Sequence, residues 1–228
     1  GPTCHYTMGG IRVDSESQET SINGLFAAGE AAGGMHGSNR LGGNSLSDLL
    51  VFGKRAGEYA AAFAKQEQTL GSIDEEEIAG VATGLLKPFS STDGENPYSI
   101  HEDLRDVMQE NVGIVRTQED LEQALVEIEK LRVRASTVKV GGNIQFNPGW
   151  HLALDLENML DISEIVTRAA IQRTESRGAH TREDYPDTDP DWGGFNLVAR
   201  QGEGGFELEK TPLDPPPPEL AELLKDDD

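Results

Sequence analysis

The chain has 228 residues, 36% of them hydrophobic and 6% aromatic, enough for one large domain or two small ones with a modest core. Its 41 acidic against 19 basic residues leave a net charge of −22, which argues against nucleic acid and against an anionic membrane surface as direct partners. The single cysteine, Cys4, excludes an internal disulfide and fits a reducing compartment.

No apolar run reaches the ~18 residues a membrane-spanning helix needs. The opening "GPTCHYTMGG" has no basic region followed by an apolar core, and no initiator Met. It reads as the middle of a domain, so the chain is expected to be a fragment. Residues 1–24 run through glycines and a polar loop to the turn-rich "SQETSING". "GLFAAGEAAGG", residues 24–34, reads as a buried strand that ends at a ligand-facing loop, as in open α/β sheets. In "SLSDLLVFGKRAGEYAAAFAK", Leu46, Leu49, Leu50, Ala56, Tyr59, Ala60 and Phe63 follow helical spacing and predict one buried face. Ser45 and Asp48 form an S-x-x-D signal that places the helix start at Ser45.

From about Ser72 the chain changes to repeated helix starts. "SIDE" (72–75), "SIHE" (99–102) and "TQED" (117–120) each read as a capping box. After the third, Leu121, Ala124, Leu125, Ile128 and Leu131 form an apolar stripe, with Glu122, Glu127, Glu129 and Lys130 toward water. A fourth helix is predicted from about Trp150, with Gly178 as its stop. Such helices, joined by short loops, predict an antiparallel bundle. "FNLVAR" and "FELEK" alternate around "QGEGG" and predict a β-hairpin. "DPPPPELAELLKDDD" reads as an extended or disordered acidic tail.

Four stretches carry residues suited to chemistry. In "HGSNRLGGNSLSDLL" (36–50), Gly42 and Gly43 let backbone approach a ligand, the helix start supplies N–H groups, and Arg40 offers a planar fork for a carboxylate. The same residue types also make an ordinary glycine-rich loop with a surface arginine. His5, in "CHYTMGG", is either a structural histidine or a donor to a substrate oxygen. No set of His, Cys or Asp at ligand spacing accompanies it, so no metal site is predicted. Glu30 ends the predicted strand, where a carboxylate either accepts from a ribose or polyol hydroxyl or merely caps a helix. "TESRGAHTREDYP" (174–186) groups Arg177, His180, Arg182, Glu183 and Asp184 past a helix end. Its plain reading is an ion-paired loop.

Taken together and in this order, "HYTMGG", "GLFAAGEAAG", "HGSNRLGGNSL" and "RTESRGAHTREDYPDTDPDW" resemble the flavoprotein subunit of succinate dehydrogenase and fumarate reductase, over most of residues 1–192. The resemblance implies FAD as cofactor and a dicarboxylate as substrate. It implies that His5 and Arg40 bind the substrate, that Glu30, Ser45 and Leu46 contact FAD, and that Arg177 and His180 support the region near the flavin. It implies no proton-transferring residue in this chain. That arginine, the G-x-G-x-x-G and the flavin-attaching histidine belong to a missing N-terminal portion. The implied fold is an α/β remnant of an FAD-binding, Rossmann-like domain with the end of a capping domain (1–70), an α-helical bundle domain (71–192), and a β-hairpin with an acidic tail (193–228).

The implied activity is interconversion of succinate and fumarate, with electrons passed to an iron–sulfur subunit. The implied location is cytoplasmic, at the inner face of the membrane through an anchor subunit. L-Aspartate oxidase has a similar layout but usually shows Ala-Ser in place of Gly42-Gly43. A third reading is a helical interaction fragment that catalyses nothing alone.

Overall fold

A computed structural model describes residues 5–67 and 71–223; Cys4 and the last five residues of the acidic tail lie outside them. The fold is mostly helical, with two two-stranded sheets among the described residues. The first block is a 3-10 turn, Gly29–Ala31, followed by helix α1, Asn44–Gln66. Residues 24–34 do not form the predicted strand. Their backbone makes only isolated bridges, Phe26 to Glu19 and Ala32 to Ile11. The positive φ of Gly24 and Gly29 breaks the extended run that its apolar composition suggested.

Helix α1 begins one residue before Ser45. Its N-cap, Gly43, has a left-handed backbone and no side-chain cap bond. Asp48 therefore does not cap; it is buried and serves a tertiary contact. The predicted face is met in part, by Ala56, Ala60 and Phe63, but not by Leu46, Leu49, Leu50 or Tyr59. Ser45, Asp48, Phe52, Ala56, Ala60 and Phe63 are covered, whereas Leu46 and Leu50 stay 68% and 76% exposed.

The second block begins with α2, Glu75–Ser90, followed by α3, Pro97–Asn111, α4, Gln118–Ala135, and α5, Pro148–Gln172. Thr117 caps α4 as expected, accepting the Asp120 N–H. The other starts move. Asp74 caps α2 through the N–H groups of Glu76 and Glu77. Asn-Pro pairs open α3 and α5, with Asn96 accepting from Tyr98 N–H and Asn147 from Trp150 N–H. Proline at the first helical position has its φ preset, so Asn96-Pro97 outcompetes the box-like Ser99 and Glu102 two residues later.

Helices α3, α4 and α5 pack around Ile100, Leu104, Ile128, Leu131, Leu156 and Leu160. The predicted α4 stripe is the core side: Leu121, Ala124, Ile128 and Leu131 are buried, and Leu125 is half-buried. Each fully buried Leu or Ile contributes about 1.5–3 kcal/mol against exposure. Arg132 on α4 ties this face to α5 through Asp161 at 2.6 Å and Glu164 at 2.8 Å.

Helix α5 ends at Gln172, so Gly178 is not its stop. The chain after it forms β2, Thr181–Arg182, parallel to β1, Val115–Arg116, a pairing that the sequence does not signal. The predicted hairpin is present as β3, Phe195–Gly202, and β4, Gly205–Pro212, antiparallel, with Gly202 opposite Gly205 across the turn. Within the tail, Pro218–Leu223 forms a short helix, α6, rather than extended chain. No helix among the described residues is long and apolar enough to cross a membrane.

Candidate functional site

The local backbone explains why "HYTMGG" lies beside the loop before α1. Ile11 donates its N–H to Ala31 O at 2.8 Å, and Gly33 N–H returns to Ile11 O at 3.0 Å. The two segments are so close that a Cβ on Gly10 would sit 2.6 Å from Ala31 O. Only glycine permits that approach. Glu30, in the 3-10 turn, then accepts the Thr7 N–H at 2.9 Å and fixes the run that carries His5 and Tyr6.

His5 and Arg40, far apart in sequence, meet here: Arg40 Nη2 is 3.5 Å from His5 Nε2. Both are accessible at least in part. Arg40 Nη1 reaches Leu41 O at 3.5 Å, and no carboxylate among the described residues is within ion-pair range of the guanidinium. Its fork is thus available to an anion. The Arg40 guanidinium lies over the Tyr6 ring, 5.0 Å from the centroid. Tyr6 O–H donates to Asp48 Oδ2 at 3.1 Å, and His36 Nε2 lies 3.3 Å from the same carboxylate oxygen. Burial, and next the hydrogen bond to Asp48, push the Tyr6 phenol above its ordinary pKa.

Tyr6, His36 and Asp48 were missed by sequence reasoning. The available signal was adjacency: Tyr6 follows His5 and His36 lies four before Arg40. Asp48 was hidden because S-x-x-D is also a capping pattern.

Ser45 and Leu46 stand at the start of α1. Unlike α2 to α5, this helix start has no side-chain cap, so its first turn is open to an external acceptor. The Leu46 N–H itself turns back to Gly43 O at 3.2 Å. Around it, a Cβ on Gly34, Gly37, Gly42 or Gly43 would meet nothing within 4 Å. Open backbone, an uncapped helix start and the exposed Glu30 carboxylate fit one edge of a large polar cofactor with anionic character.

The fourth stretch packs behind this cluster. Ala179 N–H donates to Ser38 O at 3.0 Å, and a Cβ on Gly178 (φ +60°) would sit 2.5 Å from that same oxygen. The buried Glu175 carboxylate takes Arg177 Nε at 2.9 Å and Arg173 Nη1 at 2.7 Å. Burial alone would raise its pKa; bonds from Arg177, the Asp189 N–H and Arg173 outweigh that and hold it at about 2. Arg116 lies 2.8 Å from His180 Nδ1, and Arg173 O is 3.1 Å from Nε2. An arginine can only donate, so Nδ1 accepts and Nε2 carries the proton in a neutral ring. Desolvation by burial moves that histidine below its ordinary pKa. Arg182 is fully buried, binding Ala170 O at the end of α5, Gln118 Oε1 at the start of α4, and Asp184. Arg177 and His180 are therefore committed to internal bonds and shape the wall behind Ser38.

Two open clefts lie elsewhere, one between the starts of α3 and α5 and one between α5 and β4. Neither contains a predicted site residue, and in the first Asn96 and Asn147 are already used as caps. The His5–Arg40 cluster has the better chemistry. Among the described residues no three His, Cys, Asp or Glu side chains group as metal ligands.

The family described as fumarate reductase flavoprotein C-term matches residues 101–221, and an FAD binding domain family matches residues 1–46. The fumarate reductase flavoprotein subunit of Haemophilus influenzae is 41% identical over 191 residues, 82% of this chain and 32% of that protein. The succinate dehydrogenase flavoprotein subunit of Coxiella burnetii is 35% identical over 232 residues, 95% of this chain and 40% of its own length. Among solved structures, Mycobacterium smegmatis Sdh1 in complex with UQ1 superposes with a TM-score of 0.93 at 46% identity, covering 99% of this chain and 38% of that one. The chain thus spans well under half the length of these relatives.

Proposed function

This chain belongs to the fumarate reductase flavoprotein family, and from that premise we propose that the complete protein it forms part of uses FAD to interconvert succinate and fumarate. The observation that carries the reading is the convergence of Arg40 and His5 at 3.5 Å, with no carboxylate among the described residues competing for the arginine. A bidentate guanidinium beside an imidazole donor suits one carboxylate of a four-carbon diacid. Held so, the substrate presents one face to a neighbouring reaction centre, and orientation and fixed positive charge do the work.

FAD, when bound, supplies the acceptor for the hydride that leaves the substrate carbon. In this reading Glu30, Ser45 and Leu46 would be its contacts in this chain, and the uncapped start of α1 would turn positive potential toward it. The proton from the second carbon goes to a group outside these residues. Arg177 and His180 buttress the loop that bears Arg40. Residues 1–70 are read as the closing part of a Rossmann-like FAD-binding domain with the end of a capping domain, 71–192 as a helical bundle domain, and 193–228 as a hairpin with its tail. The electrons leave to an iron–sulfur subunit, with the assembly held at the inner face of the cytoplasmic membrane by an anchor.

The test is the complete flavoprotein carrying Arg40→Lys. Lysine keeps the charge but not the fork, so kcat/KM for succinate should fall roughly ten- to a thousand-fold with flavin content unchanged. Wild-type kinetics in that variant would remove Arg40 from the substrate site. Turnover of L-aspartate in place of succinate would redirect the reading to the oxidase.

A further inference from the structure

The Arg40 guanidinium is held by little of its own hydrogen bonding. Its two contacts, to Leu41 O and His5 Nε2, are both at 3.5 Å, the outer limit of a hydrogen bond. Its Nε is buried with no partner among the described residues. An arginine so weakly tethered would ordinarily sample several rotamers, and each costs precision at a site that must grip a planar carboxylate. What does fix its plane is the Tyr6 ring beneath it.

That ring is itself fastened at its far end. The phenol O–H is bonded to Asp48, whose side chain is 3% exposed and rooted in the first turns of α1. His36, 7% exposed, closes the arrangement: its ring meets Tyr6 edge-on at 5.4 Å, and its Nε2 approaches both the phenol and the carboxylate at 3.3 Å.

We propose that Tyr6, anchored by Asp48 and His36, is a positioning residue that fixes the Arg40 guanidinium for the substrate carboxylate. The inference rests on the dicarboxylate reading of the His5–Arg40 site and adds residues to it. The arrangement has a chemical logic. A carboxylate partner would orient the arginine equally well, but it would occupy the fork and cancel the charge. An aromatic face attracts the cation through its quadrupole and leaves the donors at the rim for the ligand. The buried Asp48 carboxylate is kept behind the ring, bonded to the phenol and imidazole rather than to Arg40.

The experiment is a double-mutant cycle in the complete flavoprotein, reading malonate binding from the perturbation of the flavin spectrum. Malonate carries two carboxylates but has no adjacent carbon pair to dehydrogenate, so it reports binding alone. Tyr6→Leu should weaken malonate roughly five- to thirty-fold, the scale of a partly desolvated cation–π contact. Tyr6→Phe keeps the aromatic face but cuts its anchor to Asp48, so it should weaken malonate by an intermediate factor of about two- to five-fold, and wild-type binding in this variant would overturn the anchoring role of Asp48 and His36. In an Arg40→Gln background Tyr6→Leu should change the constant by less than about twofold, because the group it acts through is gone. Bound flavin in each variant shows that the fold survives. A Tyr6→Leu effect that is absent, that is equal in both backgrounds, or that Tyr6→Phe reproduces in full overturns the positioning role alone. Malonate binding unaltered by Arg40→Gln would instead overturn the site reading, and this inference with it.

Discussion

His5 and Arg40 divide the task of holding an anion differently, and the division is testable at each residue. Arg40 carries fixed charge and a fork; His5, exposed, turns Nε2 toward Arg40 at 3.5 Å, where it can only accept, and leaves Nδ1–H as its directional donor. Replacing His5 with Gln keeps a donor of similar reach but shifts its position and removes the ring. The expected result is a succinate KM raised about tenfold, the scale of one hydrogen bond to a charged group, with flavin content unchanged. Steady-state kinetics with an absorbance spectrum of each preparation checks both halves. A variant that lost flavin while keeping substrate affinity would place His5 at the cofactor instead. Gly178 shows the opposite kind of residue, one defined by what it lacks. Its left-handed backbone and the 2.5 Å clearance to Ser38 O leave no space for a side chain. In sequence it is a glycine near a helix end, which reads as a stop. The true reason, close approach of a distant loop, cannot be inferred from one strand of sequence.

Among the elements, α4 shows how much of the fold was legible. Its cap and its stripe are both local: Thr117 closes on Asp120, and Leu121, Ala124, Ile128 and Leu131 repeat at helical spacing. Thr117→Ala should therefore cost about 1 kcal/mol and lower the unfolding midpoint by about 2–4 °C, measured by thermal scans. Thr117→Ser should restore most of it. Helix α1 was legible as a helix, and its second half, Ala56, Ala60 and Phe63, is covered as expected, but its first turns are not. Leucines at 46 and 50 outvoted a single aspartate in the pattern, yet Asp48 has Tyr6 and His36 as partners and Leu50 has open surface. Periodicity measures apolar content per face; it does not register a polar side chain that is buried because distant polar partners, here bonded through Asp48 Oδ2, meet it there. The predicted strand at 24–34 failed for a related reason. The chain there is bent by Gly24 and Gly29, and no neighbouring strand among the described residues completes a ladder. The hairpin, set by a turn sequence and alternation, needed nothing distant and was read correctly. Tyr6, His36 and Asp48 became a site only through folding, which brings residues some thirty to forty apart into one cluster.

Across the whole molecule, charge sets the terms. A net −22 means that mild acid relieves general repulsion while it breaks specific carboxylate bonds, so raw pH profiles mix two opposed effects. The difference between wild type and Glu175→Gln isolates one group. Glu175 is shifted from an ordinary 4.5 to about 2, so the unfolded chain binds its proton first as pH falls. Its stabilisation should be complete above about pH 5, amount to about 1–3 kcal/mol there, and disappear as pH falls toward 2. Chemical denaturation at a series of pH values measures it, and a pH-independent difference would show that the carboxylate's charge is not what matters. Arrangement along the chain has a temporal side as well. The contacts among α3, α4 and α5 join neighbours in sequence, whereas the bond from Ala179 to Ser38 closes a loop over most of the chain. Loop closure of that length is slow and entropically costly until the helices supply a surface to close against. The expectation is that the helical core organises early and that the Ser38–Ala179 junction, with Arg40 two residues from it, forms later and opens at lower denaturant. If so, Arg40 should lose its setting under mild denaturant, read as loss of malonate binding, while the circular-dichroism helix signal is still intact.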